Sequence, residues 1–206
     1  MSLITDTSGF PPETPALPAV SIWRLSVDQY HEMIRTGILT EDDPLELLDG
    51  WLVRKMPKNP PHCLATGLVE DALRRVAPEG WHVAVQDPIT LPTSEPEPDA
   101  VVVRGSRRDY VDRHPGPSDV ALIVEVADDS LPHDRTFKNR LYAGAGIPVY
   151  WIVHLVDGRL EVYTDPSGPE EQPDYRSRRD YTASEEVPVL VAGREVARLP
   201  VRALLP

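Results

Sequence analysis

The sequence contains only one cysteine, Cys63, among its 206 residues. A single cysteine excludes an internal disulfide framework and a cysteine-cluster metal site, and it favours a reducing compartment. No stretch approaches the ~18 consecutive apolar residues of a membrane helix, and residues 1–20 contain no Lys or Arg of the kind that begins a signal peptide. We therefore expect a cytoplasmic protein that does not span a membrane.

Positive charge is also scarce, with 21 Lys and Arg against 33 Asp and Glu and a net charge of −12. Sequence-independent binding of nucleic acid depends on basic contacts to phosphate, so the charge excludes a general binder of that kind. The chain lacks a Gly-rich phosphate loop, a Gly-x-Ser-x-Gly elbow and a His-Glu-x-x-His helix. The sequence thus gives no support for three common classes of hydrolase.

Proline is abundant, with 23 residues, or about twice the ordinary frequency of ~5%. Four of the prolines lie in residues 1–20, which predicts a flexible Pro-rich N-terminal arm. The composition of the rest, 41% hydrophobic and 26% charged over the chain, is typical of one folded domain. We expect that domain to cover residues 21–206, with a C-terminal β-ribbon at about 174–206.

Local patterns predict two helices and a hairpin in the first half of the chain. Ser26 and Gln29 form a capping box at the start of a short helix. Residues 45–56 are expected to form two strands around Asp49-Gly50, a strong hairpin signal. A longer helix begins near Pro61, and Leu64 is expected on its buried face.

Apolar runs predict the strands of a central sheet, and a third helix is expected over residues 134–145. The predicted strands are 81–86, 100–103, 121–126, 149–155, 160–164 and a ribbon over 187–199. The polar segment 166–179 is expected to be a loop. Strands interleaved with helices predict an α/β or α+β domain with a central mixed β-sheet flanked by helices.

Two carboxylates occur where burial should exclude them. Glu125 lies inside the run Leu122-Ile123-Val124-Glu125-Val126, and Asp99 opens the strand that follows Glu95-Pro96-Glu97-Pro98. A buried ionised carboxylate costs several kcal/mol unless a cation compensates it. Two carboxylates that converge at one edge of the sheet suit a hard divalent cation such as Mg²⁺.

The third helix adds polar side chains to the same candidate site. Asp134, Lys138 and Tyr142 are spaced four residues apart and share one face. From that face the Lys138 ammonium could orient or deprotonate a water molecule. Glu46, in the hairpin, and Gln86, at the end of its strand, are further candidates for the rim of the site.

Together these motifs resemble the Uma family of restriction-endonuclease-like proteins. The resemblance covers roughly residues 23–165 and is carried by spaced motifs rather than by one short pattern. The motifs, in chain order, are Glu46, Pro98-Asp99, Glu125-Val126-Ala127-Asp128, Asp134-Arg135, Lys138, Tyr142-Ala143 and Tyr150-Trp151-Ile152-Val153.

The resemblance implies a PD-(D/E)XK nuclease fold and hydrolysis of phosphodiester bonds in nucleic acid, with DNA as the expected substrate. It implies that Asp99 and Glu125 bind Mg²⁺ or Mn²⁺ and that Glu46 is the early acidic residue of the family. The family fold usually places a lysine two residues after the second acid, where this chain has Ala127. Lys138, arriving from the next helix, is the expected replacement.

An alternative from a different class is an inactive interaction or scaffold protein that keeps the nuclease fold. It predicts that Glu125 is tied to a protein cation such as Lys138, or that Asp99 is turned away from the site. A homodimer is expected in either case. Taken singly, Lys138 could be a solvated helix residue. His62, near the start of the long helix, could approach the site, although a histidine in a first helical turn is more often a surface or packing residue.

Overall fold

The protein is built on a six-stranded mixed β-sheet in a computed structural model that describes residues 22–40 and 42–206. The predicted N-terminal arm lies outside these residues. In spatial order the strands are β3 (Trp81–Ala84), β4 (Ala100–Arg104), β5 (Val120–Ala127), β6 (Val149–His154), β7 (Arg159–Pro166) and β8 (Tyr175–Thr182). Only the β5–β6 pair is parallel. The predicted central mixed sheet is confirmed.

Both faces of the sheet are covered, which explains why β5 reads as a continuous apolar run. Helix α2 (Pro60–Val76) packs on one face together with the hairpin of β9 (Glu186–Val191) and β10 (Arg194–Pro200). Helix α4 (Asn139–Gly144) packs on the other face. From Leu122 onward the side chains of β5 alternate in direction, so that Leu122, Val124 and Val126 lie on the α2 side and Ile123 and Ala127 on the α4 side.

Helix α1 (Val27–Arg35) precedes a separate two-stranded hairpin of β1 (Leu45–Leu48) and β2 (Trp51–Arg54). The predicted capping box is present, because the Ser26 hydroxyl accepts from the backbone of Gln29 and the Gln29 side chain accepts from Ser26. The hairpin turns at Asp49 and Gly50, both with positive φ. The short helix and the hairpin are therefore formed by local signals in the sequence.

Gly50 gives a stability prediction for the hairpin. Its φ is +80°, and a Cβ added there would lie 2.6 Å from the Arg24 Cβ. We expect Gly50→Ala to lower the free energy of unfolding by about 2 kcal/mol, because the backbone is left-handed and the new methyl group meets packed atoms. Gly80 is the matched control, since its φ is +82° and nothing lies within 4 Å of its added Cβ.

Urea denaturation of the two variants measures the difference. Gly80→Ala should lower the free energy of unfolding by about 1 kcal/mol, since only the left-handed backbone conformation opposes the new side chain. Equal losses in Gly50→Ala and Gly80→Ala would contradict a packing contribution at the turn.

A helical segment connects the parallel strands β5 and β6. It consists of α3 (Leu131–His133), a π-helical turn (Asp134–Lys138) and α4. In the π-helical turn, the Asn139 N–H donates to the Asp134 carbonyl five residues earlier. Such turns occur frequently at functional sites. In the described part of the chain, no helix is long and apolar enough to cross a membrane.

Two local predictions are wrong. Leu64 is 53% exposed, because α2 turns Ala65 and Val69 toward the sheet instead. Residues 175–179, expected in a loop, begin the edge strand β8. Polar side chains on an edge strand remain in solvent, so β8 carries no apolar run by which it could be recognised.

Candidate active site

Asp99 directly precedes β4, and Glu125 lies in the neighbouring strand β5. The antiparallel register of β4 and β5 pairs Ala100 with Val124, so the next position brings Asp99 across from Glu125. Both residues are buried, at 6% and 3% exposure. The Asp99 Oδ2 atom accepts a hydrogen bond of 2.9 Å from the Val126 N–H. The predicted convergence of the two carboxylates therefore follows from the strand register.

Glu125 points to the α4 face of the sheet, where two helix side chains meet it. The Tyr142 hydroxyl donates to Glu125 Oε1 at 2.7 Å, and Lys138 Nζ lies 2.9 Å from the same oxygen. Ala127 follows on this face and is fully buried in the core. The lysine that contacts Glu125 therefore comes from the helical segment after β5, as Lys138, and not from the position of Ala127 on the strand.

Asp134 completes the stripe of the third helix. It is 2% exposed, accepts a 2.7 Å hydrogen bond from the Ser130 hydroxyl, and lies 3.9 Å from Lys138 Nζ. Burial alone would lower the pKa of Lys138, but the negative charges of Glu125, Glu46 and Asp134 raise it above its ordinary value. Lys138 is therefore protonated at neutral pH.

The two central carboxyl groups differ in pKa. Burial raises the pKa of Glu125 to about 8, although Lys138 opposes the shift. Burial also acts to raise the pKa of Asp99, but the hydrogen bond and charge of His62 and the Val126 N–H outweigh it and lower that pKa. Asp99 therefore ionises at a lower pH than Glu125.

Glu46 reaches the site from the β1–β2 hairpin. It is 7% exposed, and one carboxylate oxygen lies 3.3 Å from the Glu97 N–H, which donates to it. A backbone bond from the Glu95 N–H to the Leu47 carbonyl, 2.7 Å long, fixes the hairpin to the segment that leads to Asp99. The hairpin therefore delivers Glu46 to the same pocket as Asp99 and Glu125.

Gln86, a predicted supporting residue, does not line this pocket. Its φ is +56°, and its N–H donates to the Pro98 carbonyl at 3.1 Å. The left-handed backbone turns the chain after β3, so Gln86 ties that turn to the segment before Asp99 and remains behind the site.

Of the two positions open to His62 from the sequence, near the site or at the surface and in packing, the structure shows the first, since His62 lines the pocket. Its Nε2 atom lies 3.1 Å from Asp99 Oδ2, and its side chain is 14% exposed. Lys58 also reaches the pocket, with Nζ 4.0 Å from Asp99 Oδ1. Asn59 caps α2 by accepting from the His62 N–H, which sets the direction of the first helical turn. No sequence motif identifies His62 or Lys58 as a residue of the site.

The pocket has a volume of about 360 Å³ and opens onto all four predicted acids, Glu46, Asp99, Glu125 and Asp134. Carboxylate oxygens fit a hard divalent cation, and Mg²⁺ commonly uses one or two carboxylates together with water and substrate phosphate. Among the described residues, no group of three or more His, Cys, Asp or Glu side chains is arranged to hold a metal ion by itself. The donor set thus fits a site completed by other oxygen ligands.

The scaffold alternative predicts that Glu125 is tied to a protein cation or that Asp99 is turned away, and the structure shows the first of these two arrangements. Glu125 is tied to Lys138 at 2.9 Å. Asp99, however, is not turned away, since it borders the same pocket as Glu125.

The architecture is similar to that of a solved structure described as a putative nuclease belonging to DUF820 from Anabaena variabilis. The TM-score is 0.63 with 16% sequence identity, and the match covers 87% of this chain and 97% of that chain. At this identity the likeness establishes the fold. A comparison with curated proteins found no match.

The sequence itself matches a family model. The model is described as "Uma2: Putative restriction endonuclease", and it matches residues 27–200. This span includes every predicted site residue and most of the described chain. The chain therefore belongs to the Uma2 family of putative restriction endonucleases.

Proposed function

We propose that the protein is a Mg²⁺- or Mn²⁺-dependent endonuclease of the PD-(D/E)XK type that hydrolyses phosphodiester bonds in DNA. The observation that carries the proposal is that Asp99, directly before β4, and Glu125, in the neighbouring strand β5, border one pocket, with Lys138 Nζ 2.9 Å from Glu125. Family membership supports a nuclease. The wider restriction-endonuclease-like group generally uses a divalent metal.

In this proposal Asp99 and Glu125 hold the metal ion, which supplies charge neutralisation at a phosphoryl oxygen and acidifies a bound water. Asp99 is oriented by its hydrogen bonds to the Val126 N–H and to His62. Lys138, held as a cation by the surrounding acids, donates a hydrogen bond that orients the attacking water. Glu46 assists from the hairpin side of the pocket.

The proposal extends to assembly and location. A small nuclease that cuts both strands of a duplex usually pairs two active sites, so we propose a homodimer. The single cysteine, Cys63, is consistent with a reducing compartment, and we propose the cytoplasm.

The Lys138–Glu125 ion pair favours one other candidate, a catalytically inactive interaction protein that retains the fold. In that case the ion pair simply neutralises a buried carboxylate, and Glu125 keeps its contact with Lys138 when divalent metal is added. Titration with Mn²⁺ followed by calorimetry separates the two candidates. Binding that depends on both Asp99 and Glu125 supports the nuclease.

Cleavage is tested by incubating the protein with supercoiled and single-stranded DNA in Mg²⁺ or Mn²⁺. We expect cleavage by the wild type and a loss of at least about 10²-fold in Asp99→Ala, because one of two metal-binding carboxylates is removed. The exposed acid Asp71 provides the control variant Asp71→Ala, which should cleave like the wild type. Absence of cleavage by the wild type on every substrate rejects the enzymatic proposal.

A further inference from the structure

The two loops that border the pocket carry opposite charge. The last residue of β2 and the segment that leads to α2, here together called the basic rim, span residues 54–59 and contain Arg54, Lys55 and Lys58 but no acid. The facing segment after β5 contains Asp128 and Asp129. A polyanion approaching the pocket is therefore attracted on one side and repelled on the other.

The basic rim is fixed in place relative to the acidic side. The Asn59 side-chain amide donates to Asp128 Oδ2 at 2.8 Å, while its carbonyl oxygen accepts from the His62 N–H at 3.0 Å. Asn59 thus joins the end of the basic rim both to α2 and to the segment after β5. The cations beside it are held at the mouth of the pocket and not on a distant surface.

Two of the three cations are available to a ligand. Lys55 is engaged, since its Nζ lies 2.6 Å from Glu97 Oε1. Arg54 is exposed and makes no ion pair or side-chain hydrogen bond with any residue in the described ranges. The Lys58 Nζ atom makes one long contact, 4.0 Å, with Asp99 Oδ1. Asp99 has closer partners in the Val126 N–H and in His62, so Lys58 is not needed to neutralise it.

We propose that Arg54 and Lys58 bind the backbone phosphates next to the scissile bond, so that the nucleic-acid strand enters the pocket along the basic rim. This inference rests on the proposed function, because it assigns the substrate contacts of the same site. It also accounts for how a chain with a net charge of −12 positions a polyanion: the contact is local and lies on one side. Arg suits bidentate contact with phosphate, and Lys acts as a point charge.

Binding of a fluorescein-labelled oligonucleotide, single-stranded or duplex, tests the inference by anisotropy with Ca²⁺ in place of Mg²⁺. The double variant Arg54→Ala/Lys58→Ala should bind at least about tenfold more weakly. Its slope of log affinity against log salt should be smaller by about 1.4 for single strands or 1.8 for duplex, as two phosphate contacts are lost. Arg194→Ala removes one cation from an exposed position on β10 and should change affinity less than twofold.

Arg54→Ala alone separates phosphate binding from an indirect effect of Lys58 on Asp99, since Arg54 has no contact with Asp99. In a wild type that cleaves, this variant should raise KM and leave kcat within about twofold. Unchanged affinity and salt slope in the double variant, with cleavage by the wild type intact, overturns the inference and leaves the proposed function standing. A wild type that never cleaves, while the double variant still loses affinity and salt slope as predicted, rejects the nuclease and the assignment to a scissile bond and leaves only strand binding along the basic rim.

Discussion

Replacing Lys138 with methionine is expected to lower the rate of DNA cleavage by about 10²–10³-fold, the range for loss of one preorganised donor in an active site. Lys138 Nζ lies 2.9 Å from Glu125 and 3.9 Å from Asp134, and its side chain is 12% exposed. Methionine keeps the length and most of the volume of the side chain. The variant therefore removes the charge and the hydrogen bond with little change in packing.

The protonation state of Lys138 decides how it acts in the proposed mechanism. Since the acids around it raise its pKa above the ordinary value, it cannot serve as the base that deprotonates water at neutral pH. It acts instead as a hydrogen-bond donor that orients the water. The pH–rate profile of wild-type cleavage should accordingly contain no step from deprotonation of Lys138 between pH 6 and about 9.

The control for Lys138→Met is Arg140→Met, which removes an exposed cation from the same helix. Arg140→Met should cleave at the wild-type rate. Circular dichroism and thermal unfolding establish that both variants are folded. Cleavage by Lys138→Met within threefold of the wild type would contradict a role for this lysine in orienting the water.

The strands and the two central carboxylates could be predicted from the sequence for the same physical reason. A strand covered on both faces reads as an apolar run, and an acid inside such a run must be compensated. Glu125 meets this condition in β5, and Asp99 adjoins β4. Lys138 could be predicted because residues four apart share a helix face, and this spacing brought it near Asp134 even in a π-helical turn.

The remaining residues of the pocket depend on tertiary placement that no local pattern encodes. His62 reaches Asp99 because α2 packs against β4 and β5 and brings its first turn, which contains His62, next to Asp99. Lys58 lies in an irregular segment whose path is set by the Asn59 cap and its bond to Asp128. The prediction that Leu64 is buried is wrong, because a helix with many small apolar residues can bury more than one of its faces.

Glu161 is the site of the largest expected loss of stability. It lies on β7 with no solvent exposure and forms an ion pair with Arg135, a hydrogen bond of 2.8 Å from the Tyr163 hydroxyl, and a 3.1 Å contact with Arg178. We expect Glu161→Ala to lower the free energy of unfolding by about 3 kcal/mol. This value is at the low end of the range for a broken buried ion pair, since both arginines retain partial exposure.

The pH dependence of stability provides an independent test of the contribution of Glu161. Burial acts to raise the pKa of Glu161, but the hydrogen bonds from Arg135 and Tyr163 and the charge of Arg178 lower it below its ordinary value of 4.5. A carboxyl group whose pKa is lowered by folding stabilises the protein above the unfolded pKa, and this stabilisation is lost as the pH falls through the folded pKa. The difference between wild type and Glu161→Ala should therefore be full at pH 7 and shrink below about pH 4.5.

Urea denaturation at pH 7 and at pH 4 measures both effects, with Glu195→Ala as the control. Glu195 forms an ion pair with Arg198 at 2.8 Å in which both side chains are about half exposed, so its removal should cost at most about 1 kcal/mol. Because Arg135 directly follows Asp134 in the π-helical turn, Glu161 also ties the helix that carries Lys138 to β7. If Glu161→Ala loses no more stability than Glu195→Ala, then Arg135 and Arg178 find equivalent partners when Glu161 is removed.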